Sequence, residues 1–502
     1  MTAADTETDV LVAGGGPVGL CAAIELARLG ISVVLAERRP TTSTHPKATV
    51  INPRTMEIFR GWGVADAVRD RGLPVEHMAT VAWMTQVAGF EIGTLDLVAD
   101  EDRLDEMVGH SPEIAAVCAQ DVVEPILLDH LRSLPAADVR MATAVTGFDQ
   151  DPDGVTALLE GDRGGRVRAR FLVGADGTNG MTRERLAIGG DGPGTIGHLV
   201  NIYFHADLTR WTSRCPSILY WLVGPRMHAC VHALDGERRW LLNVFTEPHD
   251  ERQEEWPAER CEALVREAVG VPDLEVEVRA VKPWRMSGLV ADRFRDGRVF
   301  LAGDCAHEFP PTGGFGMNTG VGDAHNLAWK LAGAVRGWAG PELLDTYDPE
   351  RRPVVRMNLD QCVLNARNIM AMLFESAPDE ELLLDPGEAG REARAQVAAA
   401  IPEQRDHFDF QGEALGAIYR STAVVADGTE PPRVANPVID YVPTGHPGAR
   451  APHLWLERDG EELSTLDLLG ASFVLLGGHD AEPWRSAAAA AAEDLGVPLT
   501  GH

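Results

Sequence analysis

The stretch DVLVAGGGPVGLCAAIELARLGISVVLAE, residues 9–37, decides the fold of this chain. It reads as a short apolar strand, a glycine-rich turn, a helix and a second strand that ends in an acidic residue. Gly14 permits the tight turn, Gly16 lets a pyrophosphate approach the backbone, and Gly19 lets the helix pack closely on the strand. Glu37 is placed to accept hydrogen bonds from a ribose. The stretch therefore predicts a strand–helix–strand unit that binds the adenosine diphosphate half of a dinucleotide.

A second stretch, RVFLAGDCAHEFPPTGGFGMNTGVGDAHNLAWKLAGAV at residues 298–335, predicts the other half of the same site. The apolar run Val299–Ala302 has the pattern of a buried strand. Gly303 and Asp304 end that strand, a Pro-Pro-Thr-Gly-Gly loop follows, and a long helix is predicted to begin near Asn318. Backbone N–H groups and a positive helix end then lie beside one acidic corner. Such a corner suits a flat, electron-accepting, partly anionic ligand.

Composition restricts the possible partners and compartments. The 502 residues include 76 acidic and 45 basic side chains, a formal net charge of −31, which argues against nucleic acid or an anionic membrane surface as a partner. Seven cysteines without a Cys-x-x-Cys pair fit a reducing compartment and predict neither a zinc site nor a disulfide framework. No apolar run reaches the roughly 20 residues that span a bilayer. We expect a cytoplasmic protein with no metal site and no membrane partner.

The middle of the chain predicts a third strand end and a second sheet. Asp176 and Gly177 follow the apolar strand 171–173, and ligands bind outside the carboxyl ends of parallel strands. From Leu199 to about Val281, strand-like runs dominate and predict an antiparallel sheet whose face roofs a ligand pocket. A Pro/Gly-rich linker at 427–448 then leads to a small α/β tail.

Together these motifs resemble the class A flavoprotein monooxygenases of the para-hydroxybenzoate hydroxylase fold, within the phenol hydroxylase and aromatic polyketide hydroxylase branch. The glycine unit at 14–19, the Asp-Gly motif that reaches Arg183 and the Gly-Asp motif with its flavin loop carry the resemblance. The tail segments PGARAPHLWL (447–456) and STLDLLG (464–470) are similar to the branch's C-terminal domain. The likeness covers nearly the whole chain.

The resemblance implies an α/β fold with three domains. A discontinuous, Rossmann-like FAD-binding domain is expected at 1–76, 98–190 and 285–400, and an antiparallel-sheet substrate domain at 77–97 and 191–284. A linker and a small thioredoxin-like C-terminal domain are expected at 401–502. The resemblance leads us to expect an abridged form of this last domain, without the final hairpin that the branch normally carries.

The resemblance also implies which residues bind. FAD is expected to contact Gly14, Gly16, Pro17, Gly19, Glu37, Arg38, Lys47, Gln120, Asp176, Gly303, Asp304, Pro311, Gly314, Gly316, Met317 and Asn318. Tyr220 and His232, in the predicted roof sheet, are the expected substrate contacts. The sequence identifies no catalytic base, and each histidine of the roof sheet is as well explained by a structural role.

The activity implied is that of an FAD-dependent monooxygenase, which uses NAD(P)H and O2 to hydroxylate a phenolic substrate. A polyketide intermediate of secondary metabolism is the favoured small-molecule partner, and the protein could form a homodimer. Two alternatives stay open on the same scaffold. One is Baeyer–Villiger oxygenation, and the other is a non-redox cyclase or rearrangement enzyme that retains FAD.

Four residues depart from the family pattern near the expected flavin. Lys47 stands where the family usually has arginine. Any flavin contact there comes from a single ammonium group and not from the two parallel N–H donors of a guanidinium. Gly180 replaces a serine four residues after the Asp-Gly aspartate, and Cys305 replaces an alanine. Phe315 replaces a glutamine or leucine. The first two departures are what keep the non-redox alternative open.

Overall fold

A computed structural model describes residues 6–98, 101–223, 227–246, 256–375 and 380–502. Its strands are β1 (Thr6–Ala13), β2 (Val33–Ala36), β3 (Val50–Ile51), β4 (Thr80–Met84), β5 (Glu91–Asp96), β6 (Ala116–Val117), β7 (Ala137–Arg140), β8 (Thr143–Asp151), β9 (Gly154–Gly161), β10 (Gly165–Gly174), β11 (Gly190–His205), β12 (Leu219–Val223), β13 (His228–Ala233), β14 (Arg239–Thr246), β15 (Glu277–Ala291), β16 (Arg295–Asp296), β17 (Val299–Leu301), β18 (His307–Glu308), β19 (Trp455–Arg458), β20 (Glu461–Ser464), β21 (Phe473–Leu475) and β22 (Leu499–Gly501).

The helices alternate with these strands in the first half of the chain and dominate after β18. They are α1 (Pro17–Arg28), α2 (Pro53–Trp62), α3 (Ala65–Asp70), α4 (Glu101–His110), α5 (Gln120–Ser133), α6 (Met181–Arg185), α7 (Thr209–Thr212), α8 (Ala258–Val269), α9 (Phe315–Arg336), α10 (Pro341–Leu344), α11 (Tyr347–Met370), α12 (Glu380–Leu383), α13 (Glu388–Ala398), α14 (Arg405–Phe408), α15 (Gln411–Leu415) and α16 (Glu482–Leu495).

The first sheet is a Rossmann-like sheet with the order β16-β17-β10-β1-β2-β7. Strands β17, β10, β1, β2 and β7 run parallel, and the antiparallel pair β8–β9 extends from β10. Val10, Val12, Val173, Leu327 and Leu331 belong to one core that joins this sheet to α1 and α9. The carboxyl ends of β1, β10 and β17 therefore meet at one edge, where each of the three sequence motifs begins.

The second sheet has the order β18-β15-β11-β14-β13-β12-β4-β5. Every pair in it is antiparallel except β12 with β4. The predicted antiparallel sheet is confirmed, and β4 and β5 join it as expected from residues 77–97. One face packs on a core that includes Trp240 and α8, and the other face turns toward the first sheet's ligand edge.

Three predicted boundaries differ from the structure. Strand β15 runs unbroken through the domain boundary predicted between 284 and 285, because its whole length pairs with β11. Apolar side chains of a segment assigned to the FAD-binding domain instead pack on Trp83, Trp221 and other apolar residues of the second sheet; they are Ile369, Met372, Leu373, Leu383, Ala393 and Val397. Helix α9 begins at Phe315 and not near Asn318, since Gly314 adopts a left-handed conformation (φ 71°) that ends the preceding loop. Residues 1–5 of the first predicted segment lie outside the described residues.

The C-terminal part contains two small sheets, β19–β20 and β21–β22, and helix α16. A buried ion pair between Arg450 and Glu57 ties the linker to α2, and Arg60 contacts Asp467 at 2.8 Å. No helix in the described ranges has the length and apolar character needed to cross a bilayer.

Candidate active site

One cavity of about 1700 Å³ lies between the two sheets. A pocket for a single drug-sized ligand measures roughly 300–1000 Å³, so this cavity has room for two ligands. Its wall runs from the glycine turn after β1, past the ends of β10 and β17, to the inner face of the second sheet. The three motifs that the sequence places far apart therefore line one continuous space.

The glycines of the first motif have separate structural roles. Gly14 has φ +107°, and a Cβ there would lie 2.3 Å from the carbonyl oxygen of Ala175. A Cβ on Gly19 would lie 2.0 Å from the carbonyl oxygen of Gly14, so this residue lets α1 approach β1. A Cβ on Gly16 would meet no heavy atom within 4 Å, because Gly16 borders the cavity.

Two helices present uncapped N-termini to the cavity. Helix α1 follows Gly16 and α9 follows Gly314, and no side chain caps either helix. Pro17, Gly316 and Met317, in the first turns, line the cavity. Helix starts carry unsatisfied N–H groups and a partial positive charge, and both favour an anionic ligand group. This arrangement fits FAD, which carries a pyrophosphate at one end and a ring system that becomes negative on reduction at the other.

Glu37 is held as a carboxylate at the end of β2. Its Oε2 accepts a hydrogen bond from the Gly15 N–H at 2.6 Å, and its Oε1 accepts from the N–H and Nε of Arg39 at 2.9 Å. Burial acts to raise the pKa of Glu37, but these hydrogen bonds outweigh it and lower the pKa. A carboxylate has about four acceptor positions, so Glu37 can still receive hydroxyl groups from the cavity that it lines.

Positive side chains line the same region of the cavity. Arg38, Arg39, Lys47 and Lys282 all contribute to its wall. Burial lowers the pKa of Lys282, and the nearby charges of Lys47 and Arg39 lower it further. Like charges held this close favour an anion between them, in a protein whose overall charge is strongly negative. The sequence analysis missed Lys282, which only strand pairing brings toward Lys47.

Gln120 lines the cavity at the start of α5, where the sequence analysis expected it. Its Nε2 donates to Glu124 Oε1 at 2.5 Å, and Glu124 Oε2 accepts from the backbone N–H of Ser43 at 2.5 Å. This chain of contacts fixes the Gln120 amide and the loop that follows β2.

Asp176 faces the cavity after β10. Its Oδ2 accepts hydrogen bonds from the backbone N–H and the hydroxyl of Thr182, at 3.0 and 2.9 Å. Its Oδ1 is buried, and the Cys305 thiol lies against the same carboxyl as a hydrogen-bond donor. A Cβ on Gly180 would lie 2.2 Å from the Asp176 carboxyl carbon. The departure at Gly180 therefore makes room for this position of Asp176, which a serine would obstruct.

Asp304 projects into the cavity from the turn after β17. Protein surrounds the carboxyl on the sides away from the cavity, and this burial raises its pKa, while His307 and Lys47 oppose the shift. Gly303, at the preceding position, stays outside the wall with φ +59°, and a Cβ there would lie 2.8 Å from Val18. The two residues of the Gly-Asp motif therefore have different roles. Gly303 allows close packing, and Asp304 lines the cavity.

A buried ion network supports the Gly-Asp turn from behind. Asp323 of α9 accepts from the Gly303 N–H at 3.1 Å, from His307 Nε2 at 2.7 Å and from Arg351 Nε at 2.7 Å. Asp323 and His307 are fully buried. The sequence analysis missed this network, although a charged residue on the apolar side of a predicted helix was the available signal.

The residues of the predicted flavin loop also have two roles, because some line the cavity and one fixes the start of α9. Pro311, Gly314, Gly316 and Met317 line the cavity. Asn318 does not, because its Oδ1 accepts from the Asn52 N–H at 3.0 Å and its Nδ2 donates to the carbonyl oxygens of Val50 and Gly314. It instead fixes the helix start to β3.

Cys305 and Phe315, the other two residues that depart from the family pattern, do not line the cavity. Burial raises the pKa of the Cys305 thiol, and Asp176 raises it further, so the thiol stays protonated. The Phe315 ring is buried and contacts Phe410 edge-on at 5.5 Å. Both residues therefore meet the cavity wall through a neighbour, Cys305 through Asp176 and Phe315 through Phe410.

Of the two residues expected to contact substrate, His232 lines the cavity and Tyr220 does not. His232 lines the cavity, and burial lowers its pKa to about 4. Tyr220 faces the opposite side, where its buried hydroxyl donates to the carbonyl oxygen of Cys215 at 3.0 Å. Side chains alternate along a strand, so Leu219 and Trp221 take the cavity positions that the sequence analysis gave to Tyr220.

Several cavity residues escaped the sequence analysis. Asn243 and Trp284 come from β14 and β15, while His407, Phe410 and Gln411 come from a segment that was assigned to the linker domain. The alternation of side chains along β14 could have predicted that Asn243 faces the cavity. Nothing local to residues 405–411 indicates that they close a pocket formed by a distant sheet.

Comparison with known proteins identifies the family. The model described as FAD binding domain matches residues 7–362, and the model described as aromatic-ring hydroxylase, C-terminal, matches residues 444–501. A putative polyketide hydroxylase from Streptomyces halstedii is 39% identical, over 98% of this chain and 85% of its own length. A tetracenomycin B2 monooxygenase-dioxygenase from Streptomyces olivaceus is 36% identical, over 99% of this chain and 88% of its own.

A solved structure gives the same result for the fold. The flavin-dependent monooxygenase PieE, in complex with FAD and substrate, superimposes with a TM-score of 0.92 at 35% identity. The match covers 99% of this chain and 89% of PieE. The predicted fold class, with its FAD-binding, substrate and C-terminal parts, is thereby confirmed. The chain belongs to the FAD-dependent aromatic-ring hydroxylases, a family of class A flavoprotein monooxygenases.

Proposed function

We propose that this chain hydroxylates a phenolic ring of a polycyclic aromatic polyketide, with FAD as its cofactor and NAD(P)H and O2 as co-substrates. The observation that carries the proposal is the single cavity of about 1700 Å³, which joins the dinucleotide edge of the first sheet to the apolar face of the second. Relatives named as a polyketide hydroxylase and a tetracenomycin monooxygenase support the substrate class.

The residues along the first half of this cavity would hold FAD. Glu37 would accept its ribose hydroxyls, with Arg38 beside it, and the N-terminus of α1, with Gly14, Gly16 and Pro17, would face its pyrophosphate. The bound cofactor supplies hydride acceptance from NAD(P)H and transfer of one oxygen atom from O2.

The protein positions the other end of the cofactor through residues far along the chain. Lys47, Gln120, Asp176 and Asp304 contact the middle of the cofactor. Pro311 and Gly314, in the loop before α9, would form part of the wall around its ring, and the N–H groups of Gly316 and Met317 in the first turn of α9 would face it. A helix N-terminus stabilises negative charge there without reorganising during the reaction.

The second half of the cavity orients the substrate and keeps water out. Trp221, His232 and Phe245 from the roof sheet line it, and Ile369 and Phe410 line it from outside the sheet. Apolar walls of this kind bury a polycyclic ring system and leave a few polar groups to set its orientation.

The protein works in the cytoplasm, and it could do so as a homodimer.

Purification and cofactor reduction test the proposal. The purified protein is expected to be yellow with bound FAD, and substrate should accelerate oxidation of NADPH or NADH. A product 16 mass units heavier, or 18 units heavier under ¹⁸O2, establishes transfer of one oxygen atom. Glu37→Ala should lose FAD, whereas Glu277→Ala on the surface should keep it. Failure of both nicotinamide cofactors to reduce the FAD, with every phenol tried, contradicts the proposal.

The same experiments separate the two alternatives. A non-redox enzyme that retains FAD would convert substrate without consuming NAD(P)H, and the departures at Lys47 and Gly180 are the features that keep this alternative open. Baeyer–Villiger oxygenation would also add one oxygen atom, but the product would contain an ester and not a new phenol. Nuclear magnetic resonance of the product distinguishes the two.

A further inference from the structure

The cavity reaches solvent at two places that differ in chemistry. Where β15 forms its wall, the exposed lining residues include Lys282 and Arg285, both positively charged. Beside the β4–β5 hairpin they include Val75, which is 64% exposed, and Leu104, which is 44% exposed. The order β15-β11-β14-β13-β12-β4 separates the two places by five strand spacings, roughly 24 Å. Exposed apolar side chains that border a cavity are typical of a site that meets an apolar ligand.

Val75 and Leu104 lie at the same end of the β4–β5 hairpin. The two strands are antiparallel, and the Leu97 N–H donates to the Ala79 carbonyl oxygen at 2.8 Å. The segment that leads into β4 and the segment that leaves β5 are therefore neighbours, and they contain Val75 and Leu104. Other apolar residues of these two segments also line the cavity: Met78, Ala79, Leu97, Val98 and Met107. Together they form an apolar opening.

Helix α4 forms one wall of this apolar opening but contributes no buried residue to it. Leu104 and Met107 line the cavity, and none of residues 102–110 is buried. Helices α1 and α9, by contrast, bury most of their residues. Elements with few buried apolar contacts open locally at a low cost in free energy. The position of α4 therefore depends on its polar contacts.

An ion pair fastens the first turn of α4 to the segment 405–411. Arg103 lies 2.7 Å from Asp409, which lines the cavity and is almost completely buried. One turn later, Gln411 Nε2 donates to the Met107 carbonyl oxygen at 3.2 Å. Charge-assisted hydrogen bonds are shorter and stronger than neutral ones. The Arg103–Asp409 pair is thus the stronger of these two contacts.

The other end of α4 is held by a different part of the chain. Arg450 donates to the His110 carbonyl oxygen at 3.1 Å, and the His110 ring contacts Tyr441 edge-on at 5.1 Å. Arg450 is itself paired with the buried Glu57 of α2. Separation of Arg103 from Asp409 would therefore release the first turn of α4 while its last residue stays fixed.

We propose that α4 is a gate over an apolar substrate entrance, and that the Arg103–Asp409 pair is the latch that holds this gate closed. A flat aromatic ring system enters between α4 and residues 75–79 when the latch separates. Closure then keeps water out of the cavity during the reaction. Arg103 and Asp409 are positioning residues in this scheme. The inference rests on the proposed function and deepens it, because it names the route by which an aromatic substrate enters.

Hydrogen exchange of the FAD-loaded protein, measured by mass spectrometry, tests the gate without a ligand. Amides of residues 103–108 should exchange faster than those of α1 and α9, because exchange follows the population of the open form. Arg103→Gln should accelerate exchange at 103–108 by a further three- to tenfold, roughly, and leave α1 unchanged. The variant should fold, since Arg405 stays 3.9 Å from the Asp409 carboxylate. Asp105→Asn is the control, at an exposed position of α4 outside the cavity wall.

The kinetics of ligand binding test the latch. The probe is 1,8-dihydroxyanthraquinone, mixed rapidly with the FAD-loaded protein and followed by the change in flavin absorbance. Arg103→Gln should raise the association and dissociation rate constants by similar factors, roughly three- to tenfold each, and leave the Kd within about twofold of the parent. Asp409→Asn should act in the same direction. A residue with a merely structural role would change the FAD content or the Kd without raising both rate constants.

Exchange at 103–108 as slow as that of α1 in the unmodified protein overturns the inference, and this comparison requires neither a variant nor the probe. Unchanged exchange and unchanged rate constants in folded, FAD-loaded Arg103→Gln also overturn it, as does an equal acceleration in Asp105→Asn. Both measurements use oxidised FAD and no NAD(P)H. A protein that fails to reduce FAD therefore contradicts the proposed hydroxylase, while the exchange and binding rates still judge the gate.

Discussion

Substitution of Asp323 by asparagine tests whether the buried ion network holds the Gly-Asp turn in place. The Asp323 carboxylate receives three hydrogen bonds, from the Gly303 N–H, His307 and Arg351. Arg351 is 4% exposed and also donates to the Thr319 carbonyl oxygen at 2.9 Å. The substitution preserves the shape of the side chain but removes the charge that balances Arg351.

The expected loss of stability follows from this burial. Removal of one partner from a buried ion pair costs about 3–5 kcal/mol, because the remaining charge is left without compensation. The new amide also directs one N–H₂ group at donors, which leaves at least one hydrogen bond unmade. We therefore expect Asp323→Asn to lower the free energy of unfolding by about 3–5 kcal/mol. Its FAD content should fall, because the turn that carries Asp304 loses its support.

The pH dependence gives a second measure of the same interaction. Burial acts to raise the pKa of Asp323, but Arg351 and His307 outweigh it, so the pKa lies below its ordinary value. A lowered pKa contributes stability that is complete above the ordinary aspartate pKa of about 4 and is lost as the pH falls toward the folded-state pKa. The stability difference between the parent and Asp323→Asn should be constant from about pH 5 to pH 8 and shrink below about pH 4.

Denaturation by urea, followed by tryptophan fluorescence, measures the stability, and absorbance at 450 nm measures the bound FAD. Asp345→Asn is the matched control, since Asp345 is 71% exposed and pairs with Arg295 at the surface. It should change the stability by less than about 1 kcal/mol. If Asp323→Asn behaves like this control and keeps its FAD, the network does not hold the turn.

Three further substitutions test other parts of the structure. Gly19→Ala should abolish FAD binding and destabilise the first domain, because its Cβ would lie 2.0 Å from a carbonyl oxygen, while Gly61→Ala in open space should leave FAD absorbance unchanged. Arg450→Ala should remove one of the two arginines that pair with the buried Glu57, while Arg54 remains, and should therefore lower the free energy of unfolding by about 1.5–3 kcal/mol, measured by urea denaturation, and speed proteolysis around residue 450. Burial raises the pKa of Glu413 to about 9, so its destabilising effect grows as the pH rises from about 4 to 9. Glu413→Gln should then gain stability over the parent between pH 5 and pH 8, and an unchanged difference across that range would contradict the assignment.

The sequence predicted the dinucleotide edge well because its requirements are local. Gly14, Gly16 and Gly19 act within a few residues of one another, and their spacing is set by one turn and one helix. The two distant motifs at Asp176 and Asp304 could be placed beside them because parallel strands end at the same edge. Which residues of these motifs contact ligand was less predictable, since Gly303 and Asn318 serve packing and not the cavity wall.

The sequence did not predict which residues line the substrate half of the site. Tyr220 was assigned to the cavity, but a shift of one position along a strand reverses the face, and no local pattern gave the register of β12. His407 comes from a segment with no cavity signal of its own. Its environment exists only after residues 405–411 pack near the second sheet, whose strands come from earlier parts of the chain.

The sequence by itself therefore determined the fold, the cofactor edge and the family, because glycine sterics and strand–helix order are properties of short stretches. Only the tertiary structure decided which side chains meet the substrate, how Asp176 uses the space at Gly180 and what supports the Gly-Asp turn. Those features depend on contacts between residues far apart in the chain. Their geometry is set by packing, which no stretch of sequence specifies alone.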